Sequence, residues 1–222
     1  MTFPMMGRRQ VMLGTASLCG LVLAGCATTG STVAVGETEP AVSPEVLAMY
    51  SGRPDEQFPI PAVQLELLEP RFYRQVVVDP TSEVAGTVVV DTGNRYLYLV
   101  RENGRAMRYG IGIGRDGFAW SGRARIAYKR AWPKWTPPKE MIGRQPELEQ
   151  YRDGMPPGLD NPLGARALYI FQDGEDTLYR LHGNGDVRSI GMAVSSGCVR
   201  LLHQDVIDLY ERVPDGSPIL VV

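Results

Sequence analysis

The chain has 222 residues and a formal net charge of −2 at pH 7, from 23 lysines and arginines and 25 aspartates and glutamates. This balance argues against a general polyanion-binding protein, and the length suffices for one domain with a buried core plus further segments. Two histidines and three cysteines make the chain poor in metal ligands, so we predict no metal site and no cofactor.

The first 25 residues have the features of an export signal. Arg8 and Arg9 precede an apolar run over residues 11–24, and no acidic residue occurs in this segment. The run is shorter than the ~18 residues that a membrane span requires, so we expect residues 1–25 to be a signal peptide that is cleaved. The paired arginines leave both Sec and Tat export open.

The predicted signal ends in Leu23-Ala24-Gly25-Cys26, which matches the lipobox of bacterial lipoproteins. We therefore expect Cys26 to be acylated, and the protein to be exported to the periplasm and anchored by lipid, at the outer membrane. Residues 26–62 are assigned to the lipidated cysteine and a flexible tether, with a helical turn near residues 45–50. Residues 63–86 are an irregular lead-in, in which residues 75–78 could form one short strand.

The domain that follows, residues 87–222, begins with a predicted antiparallel meander. Its strands are expected at residues 87–91, 96–100 and 107–113, and Asn103-Gly104 indicates a tight turn between the last two. The glycine-rich stretch 110–114 has two interpretations, a dinucleotide-binding loop or a strand to which other backbone comes close. The spacing of its glycines favours the strand.

Basic and aromatic residues alternate between residues 123 and 144, where seven basic side chains and three aromatic ones accompany a single acid. In a cytosolic protein this pattern would suggest nucleic acid, but predicted export argues against that partner. Two interpretations stay open: a basic wall that binds an anionic peptide, and a solvated strand followed by a loop.

The rest of the chain predicts short elements around a loop. One or two short helices are expected within residues 139–151, a loop over residues 153–162, and a hairpin of strands 165–171 and 177–181 turning at Asp173-Gly174. A helix over residues 205–213 and a final strand over 218–222 complete the prediction.

Cys198 is the candidate nucleophile. Cys19 would leave with the signal and Cys26 would carry lipid, so Cys198 is the remaining thiol, and a lone thiol in an exported domain is a candidate reactive group. The alternative is a small buried hydrophobe. His182, at the end of the second hairpin strand, is the candidate base, because a thiol needs one nearby to react as thiolate. We expect the other histidine, His203, at the surface or in the first turn of the helix.

These residues fall into a pattern. His182-Gly183, Ser189-Ile190-Gly191 and Ser195-Ser196-Gly197-Cys198-Val199-Arg200 resemble the active-site signature of the L,D-transpeptidase catalytic domain, also called YkuD, and Asn161-Pro162-Leu163-Gly164 resembles the segment that precedes it. The resemblance covers residues 87–222. It implies a mainly β fold, a mixed β-sandwich with a few short helices. Many members carry histidine where this chain has Ser196, so no second-histidine role is expected here.

The resemblance implies a peptidoglycan L,D-transpeptidase. Cys198 would attack a donor stem peptide, release D-alanine and form a thioester that an acceptor amine or water resolves. His182 would act as base and then as acid, with its second ring nitrogen held by the Gly183 carbonyl. The backbone N–H groups of Gly197 and Cys198 would stabilise the oxyanion.

Three further residues complete the predicted site. Ser195 and Ser196 are interpreted as hydrogen-bonding loop residues, and Arg200 either binds a substrate carboxylate or supports the loop. The alternatives are an L,D-hydrolase on the same scaffold and a non-catalytic peptidoglycan-binding lipoprotein. The residues do not distinguish the acceptors or predict an oligomeric state.

Overall fold

The computed structural model of the chain describes residues 42–114, 120–195 and 198–222. The predicted signal peptide, Cys26 and the first part of the predicted tether lie outside these residues, as do Ser196 and Gly197. Within the described residues, no helix is long and apolar enough to cross a membrane.

The predicted meander is present in one half of the sheet, but its third strand runs over residues 105–110 rather than 107–113, and residues 113–114 belong to a separate strand. Strands β2 (Val88–Asp91), β3 (Tyr96–Arg101) and β4 (Arg105–Gly110) pair in antiparallel register. Asn103 and Gly104 in the β3–β4 turn both have positive φ, 60° and 63°, as a two-residue hairpin turn of this type requires. The short strand that the sequence allowed at residues 75–78 also forms.

The remaining strands and the helices follow in chain order. The strands are β1 (Gln75–Val78), β5 (Ile113–Gly114), β6 (Gly122–Ala131), β7 (Arg166–Gln172), β8 (Glu175–Asn184), β9 (Ala193–Ser195), β10 (Val199–Leu202) and β11 (Pro218–Val221). The α-helices are α1 (Pro44–Met49), α2 (Lys139–Arg144) and α3 (His203–Arg212), and 3₁₀ turns occur at Leu65–Leu67, Pro70–Phe72, Pro146–Tyr151 and Val187–Ser189. The predicted helical turn, the two short helices and the late helix are thus confirmed within a residue or two at each end.

Nine of the described strands form one mixed sheet in the order β1-β4-β3-β2-β11-β6-β7-β8-β10. The pairs β2–β11 and β8–β10 are parallel and the other neighbours are antiparallel. Strands β5 and β9 form a separate parallel pair. The last strand, β11, lies in the middle of the sheet and joins the meander to the second half of the chain.

The long sheet bends back on itself. Gly112, two residues after β4, exchanges backbone hydrogen bonds of 3.0 and 2.8 Å with Arg200 in β10, at the far edge of the sheet. A flat sheet would hold β4 and β10 about seven strand spacings apart, roughly 33 Å. The mainly β fold is confirmed, and the layers of the predicted sandwich are parts of one continuous sheet.

Helix α3 covers one face of the second half of the sheet. Val206 and Leu209 belong to the same buried cluster as Leu181 of β8 and Val199 and Leu201 of β10. The side chains on the opposite face of these two strands are therefore available to form a site.

The N-terminal boundary differs from the prediction. Residues 42–62, which the sequence assigned to the tether, pack against the domain: Tyr50 is 1% exposed and Ile60 is 3% exposed. The Tyr50 hydroxyl donates to Asp205 at 3.2 Å, and the Gln204 side chain donates to the carbonyls of Ser51 and Pro61 at 3.2 and 3.0 Å. Polar groups of α3, distant in sequence, hold this segment in place.

Candidate active site

Strands β8 and β10 carry the two residues that the sequence selects. Their parallel register pairs His182 with Arg200. Cys198 directly precedes β10, level with Arg180 of β8. Alternate residues of a strand share a face, so all four residues lie on the face opposite α3. Strand geometry puts the Cα atoms of His182 and Cys198 about 8 Å apart, close enough for their side chains to meet.

The His182 ring is held in one tautomer. Its Nδ1 lies 3.0 Å from the carbonyl oxygen of Gly183, as predicted. A carbonyl only accepts hydrogen bonds, so Nδ1 carries the proton and Nε2 keeps its lone pair. His182 is 5% exposed. Burial lowers its pKa to about 4, and the hydrogen bond to the Gly183 carbonyl only partly opposes this. The imidazole is therefore neutral, and basic at Nε2, at neutral pH.

The loop predicted over the site ends against His182. Asn161, 3% exposed, holds the loop together. Its side-chain NH2 group donates to the carbonyls of Pro133, Met155 and Pro156, and its side-chain oxygen accepts from the N–H of Leu163. The N–H of Gly183 in turn donates to the Leu163 carbonyl at 3.2 Å. The Asn-Pro-Leu-Gly segment thus holds the backbone of Gly183, the residue whose carbonyl orients the histidine.

His203 is buried, which corrects the prediction of a surface position. It begins α3, as the alternative expectation had it, but is 4% exposed, and its Nδ1 accepts from the N–H of Ala165 at 3.4 Å. A Cβ on Gly183 would come within 2.7 Å of this ring, and one on Gly164, whose φ is +59°, within 2.5 Å. The imidazole occupies the space that the two glycines leave. Burial lowers its pKa to about 4.

The Cys198 thiol is partly exposed and faces the backbone of β8. Its Sγ lies 3.9 Å from the carbonyl oxygen of Leu178. Burial raises the pKa of the thiol, while the backbone N–H of Arg180 and the charges of Arg180 and Arg200 lower it; burial prevails. Cys198 and His182 are therefore both uncharged at neutral pH, the protonation states from which a thiol can pass its proton to an imidazole.

Arg180 is a residue that sequence reasoning missed. Its guanidinium binds both carboxylate oxygens of Asp176 at 2.7 Å and lies 4.3 Å from the centre of the Tyr169 ring. Its position two residues before His182 in a strand, hence on the same face, was the available signal.

The family model for the L,D-transpeptidase catalytic domain, YkuD, matches residues 85–221. The chain belongs to this family. Two curated relatives from Escherichia coli (strain K12) are similar to it. The probable L,D-transpeptidase YbiS is 33% identical over 148 residues, 64% of this chain and 46% of its own length. The probable L,D-transpeptidase ErfK/SrfK is 30% identical over 156 residues, 67% of this chain and 47% of its own length. The chain thus spans about half the length of each.

A solved structure is also similar to the chain. The crystal structure of a probable carnitine operon oxidoreductase, caia, from Brucella melitensis is 42% identical, with a TM-score of 0.50, and covers 72% of this chain and 99% of its own. The agreement in fold and sequence is independent support for the β architecture.

In this YkuD domain the predicted supporting residues do not all lie in one loop. Arg200 lies in β10 beside His182, and Ser195 ends β9, a strand rather than the predicted loop. Its backbone pairs with Gly114. Ser196 and Gly197 are outside the described residues, so the predicted oxyanion donors and loop hydrogen bonds remain predictions.

The glycine-rich stretch of the YkuD domain is a strand region with close backbone approach, as the sequence favoured. A Cβ on Gly110 would lie 2.6 Å from the Phe72 Cβ, and one on Gly112 would collide with the carbonyl of Ser189. These glycines pack against protein and leave no room for a phosphate.

The basic stretch is a strand followed by a loop, as one interpretation had it, and then by helix α2, and much of its charge is engaged. Arg123 binds Glu83 through two hydrogen bonds of 2.7 and 2.9 Å, and Lys129 donates to the Tyr210 carbonyl at 2.6 Å. Tyr128 stacks on Tyr169 at 4.4 Å and, by register, continues the row that contains Arg180. By the same register Arg130 pairs with Ala167 and so stands in the row of His182.

Proposed function

We propose that the chain is a peptidoglycan L,D-transpeptidase in which Cys198 is the nucleophile and His182 the general base. The observation that carries the proposal is the fixed tautomer of His182: Nδ1 is bound to the Gly183 carbonyl at 3.0 Å, which leaves Nε2 as a proton acceptor on the face that carries Cys198. This is the arrangement that nucleophilic cysteine catalysis needs.

Acylation follows from these groups. Nε2 of His182 takes the thiol proton as Sγ attacks the carbonyl of the donor stem peptide that follows its L-configured diamino acid. The imidazolium then gives that proton to the leaving D-alanine amine, and a thioester with Cys198 remains. An acceptor amine attacks the thioester and gives a proton to His182. The sulfur leaves and takes that proton back from the imidazolium, which restores the thiol and the neutral base. Water in place of the amine gives the hydrolase alternative. The backbone N–H groups of Gly197 and Cys198 would hold the oxyanion in both steps.

Arg200 is the candidate anchor for a substrate carboxylate. It lies level with His182 in the neighbouring strand, and among the described residues its buried Nε has no hydrogen-bond partner. A buried guanidinium N–H without a partner is costly, and a carboxylate or carbonyl of the bound peptide would satisfy it. This favours substrate binding over loop support.

The oxidoreductase name of the Brucella melitensis protein suggests a second reading. A nucleotide cofactor would need a phosphate-binding loop, and the glycine-rich stretch 110–114 is packed against Phe72 and Ser189. The thiol–imidazole pair supports acyl transfer instead.

The product analysis that tests the proposal is mass spectrometry of disaccharide-tetrapeptides incubated with the full chain and with Cys198→Ala. We expect dimers formed with loss of D-alanine, absent with the variant. Loss of D-alanine without dimers, even with added amine, would favour the hydrolase. Intact tetrapeptides with a folded wild-type chain would contradict both and leave the binding-lipoprotein alternative.

We further propose that the protein is exported and anchored by an acylated Cys26, so that the domain acts at the periplasmic face of the outer membrane. The Leu-Ala-Gly-Cys motif supports this. Cells expressing the chain should incorporate labelled palmitate into it, and Cys26→Ser should lose the label. Labelling of the variant equal to wild type would refute the anchor.

A further inference from the structure

Strand β8 has a bulge next to the thiol. Tyr169 of β7 pairs with Arg180 and Phe171 with Asp176, so two steps along β7 oppose four along β8. Within the bulge Leu178 adopts φ +62°, a left-handed conformation that is uncommon for a leucine, and its side chain is 69% exposed. Such bulges often re-aim side chains beside active sites.

Side chains of β8 itself stabilise the bulge. An Asp176 carboxylate oxygen accepts from the N–H of Leu178 at 2.8 Å, and the Thr177 hydroxyl donates to the Ile170 carbonyl at 2.7 Å and accepts from the N–H of Tyr179 at 3.2 Å. The left-handed residue is therefore held by specific hydrogen bonds. No apolar packing of Leu178 accounts for it, since its side chain faces solvent.

The same carboxylate fixes the Arg180 side chain. Both Asp176 oxygens accept from the guanidinium at 2.7 Å, the Tyr179 carbonyl accepts from it at 2.8 Å, and the Tyr169 ring supports it from one side. Burial raises the pKa of Asp176, but its hydrogen bonds from Arg180 and Leu178 outweigh burial and lower it. The charge of Arg180, whose side chain is 12% exposed, is thus held in one place.

The bulge lies against Cys198, and Arg180, whose guanidinium lies over Tyr169 of β7, stands in the same row of the sheet as Cys198. The Leu178 carbonyl lies 3.9 Å from Sγ, and Arg180 is level with Cys198 across the strand gap. We propose that Arg180 is a positioning residue for the nucleophile: the bulge and Asp176 hold it so that its backbone N–H and its guanidinium stabilise the thiolate of Cys198. The inference rests on the proposed function only in naming Cys198 the nucleophile.

Other charged groups near the thiol are accounted for. His182 is neutral, Arg200 of β10 contributes a second positive charge, and Asp186 acts on Arg200. Arg200 has no hydrogen-bonded clamp among the described residues, whereas Arg180 has three partners. Arg180 is therefore the pre-organised charge, and Arg200 can move to a substrate.

The test measures alkylation rather than turnover, so it is independent of whether the chain is a transpeptidase. The full chain is treated with iodoacetamide from pH 5 to 10, and the modification of Cys198 is followed by mass spectrometry of its tryptic peptide. Arg180→Gln and Arg180→Met remove the charge, and Met keeps packing on Tyr169. Arg166→Gln is the matched control, because Arg166 is also 12% exposed and clamped by a carboxylate, Glu56.

We expect both uncharged variants to alkylate about 3- to 10-fold more slowly than wild type at pH 7, and to reach the wild-type rate at high pH, where every thiol is ionised. Arg180→Lys should recover part of the rate, and Arg166→Gln should match wild type. Coincident profiles for wild type and the uncharged variants would overturn the proposal. So would a loss equal at all pH values, which would indicate altered access or folding, or Arg180→Lys no faster than Arg180→Gln.

Discussion

Replacement of His182 by alanine should lower kcat/KM for D-alanine release by about 10²- to 10⁴-fold, the usual contribution of a general base. The variant leaves Cys198 as a thiol whose pKa burial raises, so little thiolate forms at neutral pH without a proton acceptor. Initial rates of D-alanine release from disaccharide-tetrapeptides measure the effect.

His203→Asn is the matched control, because His203 is about equally buried and also neutral, but among the described residues its ring is hydrogen-bonded only to the Ala165 N–H. It should lose less than about 10-fold, as a supporting residue that contacts no reacting atom. A greater loss in His203→Asn than in His182→Ala would show that His203, and not His182, is the base.

The same assignment fixes the acid limb of the pH profile. The base form of His182 is lost only as pH falls through about 4, since burial lowers its pKa from the ordinary 6.5. We expect kcat/KM of the wild-type chain to stay level down to about pH 5 and to fall by half near pH 4. A midpoint between 6 and 7 would mean that the histidine is solvated in the working enzyme.

Asp205→Ala should lower the free energy of unfolding by about 2 kcal/mol at pH 5 to 6, because it removes the hydrogen-bonding partner of the buried Tyr50 hydroxyl and one partner of Arg74. Asp205 is 1% exposed and accepts from the Tyr50 hydroxyl at 3.2 Å, and Arg74, 8% exposed, lies 3.5 Å from it. Urea unfolding measures the loss. Glu69→Ala, which breaks an ion pair whose side chains are more than 60% exposed, should change it by less than about 1 kcal/mol.

Stability should also depend on pH through Asp205. Arg74 is shared with Asp208, which has a second guanidinium partner in Arg212, so Asp208 stays ionised and Asp205 holds the proton. Burial raises the Asp205 pKa to about 7. A folded-state pKa above the unfolded value adds stability below about pH 4 that is lost as pH rises through 7. Asp205→Asn should show less of this decline between pH 4 and 8. An equal decline in the wild-type chain and in Asp205→Asn would mean that another group causes the pH dependence.

Local patterns predicted the local structure. The meander, the Asp173-Gly174 hairpin and the late helix follow from alternation, turn residues and helical periodicity, which act within a few residues. The hydrogen bond between His182 and the Gly183 carbonyl could also be predicted, because both groups belong to neighbouring residues.

Contacts between distant parts of the chain were not predictable in the same way. Residues 42–62 have the composition of a tether. The hydrogen bond that anchors Tyr50 comes from Asp205 of α3, some 150 residues later, so it leaves no local signal in the sequence. The burial of His203 depends on two glycines that leave space for it. The ion pair between Arg180 and Asp176 depends on the strand register at the bulge, and no short-range sequence pattern predicts that register.

The position of β11 has a consequence for how the domain reaches its native state. The meander and the β6–β10 half are joined in the sheet only through Pro218–Val221, near the end of the chain. Pairing β11 with β2 closes a loop of about 130 residues, so the entropy of bringing the ends together is lost before the sheet is continuous. Each half would therefore present an open strand edge, at β2 or at β6, until Pro218–Val221 pairs with both. A chain in which Pro218–Val221 has not yet paired cannot complete this sheet, although β8 and β10, which bring His182 and Cys198 together, pair with each other directly.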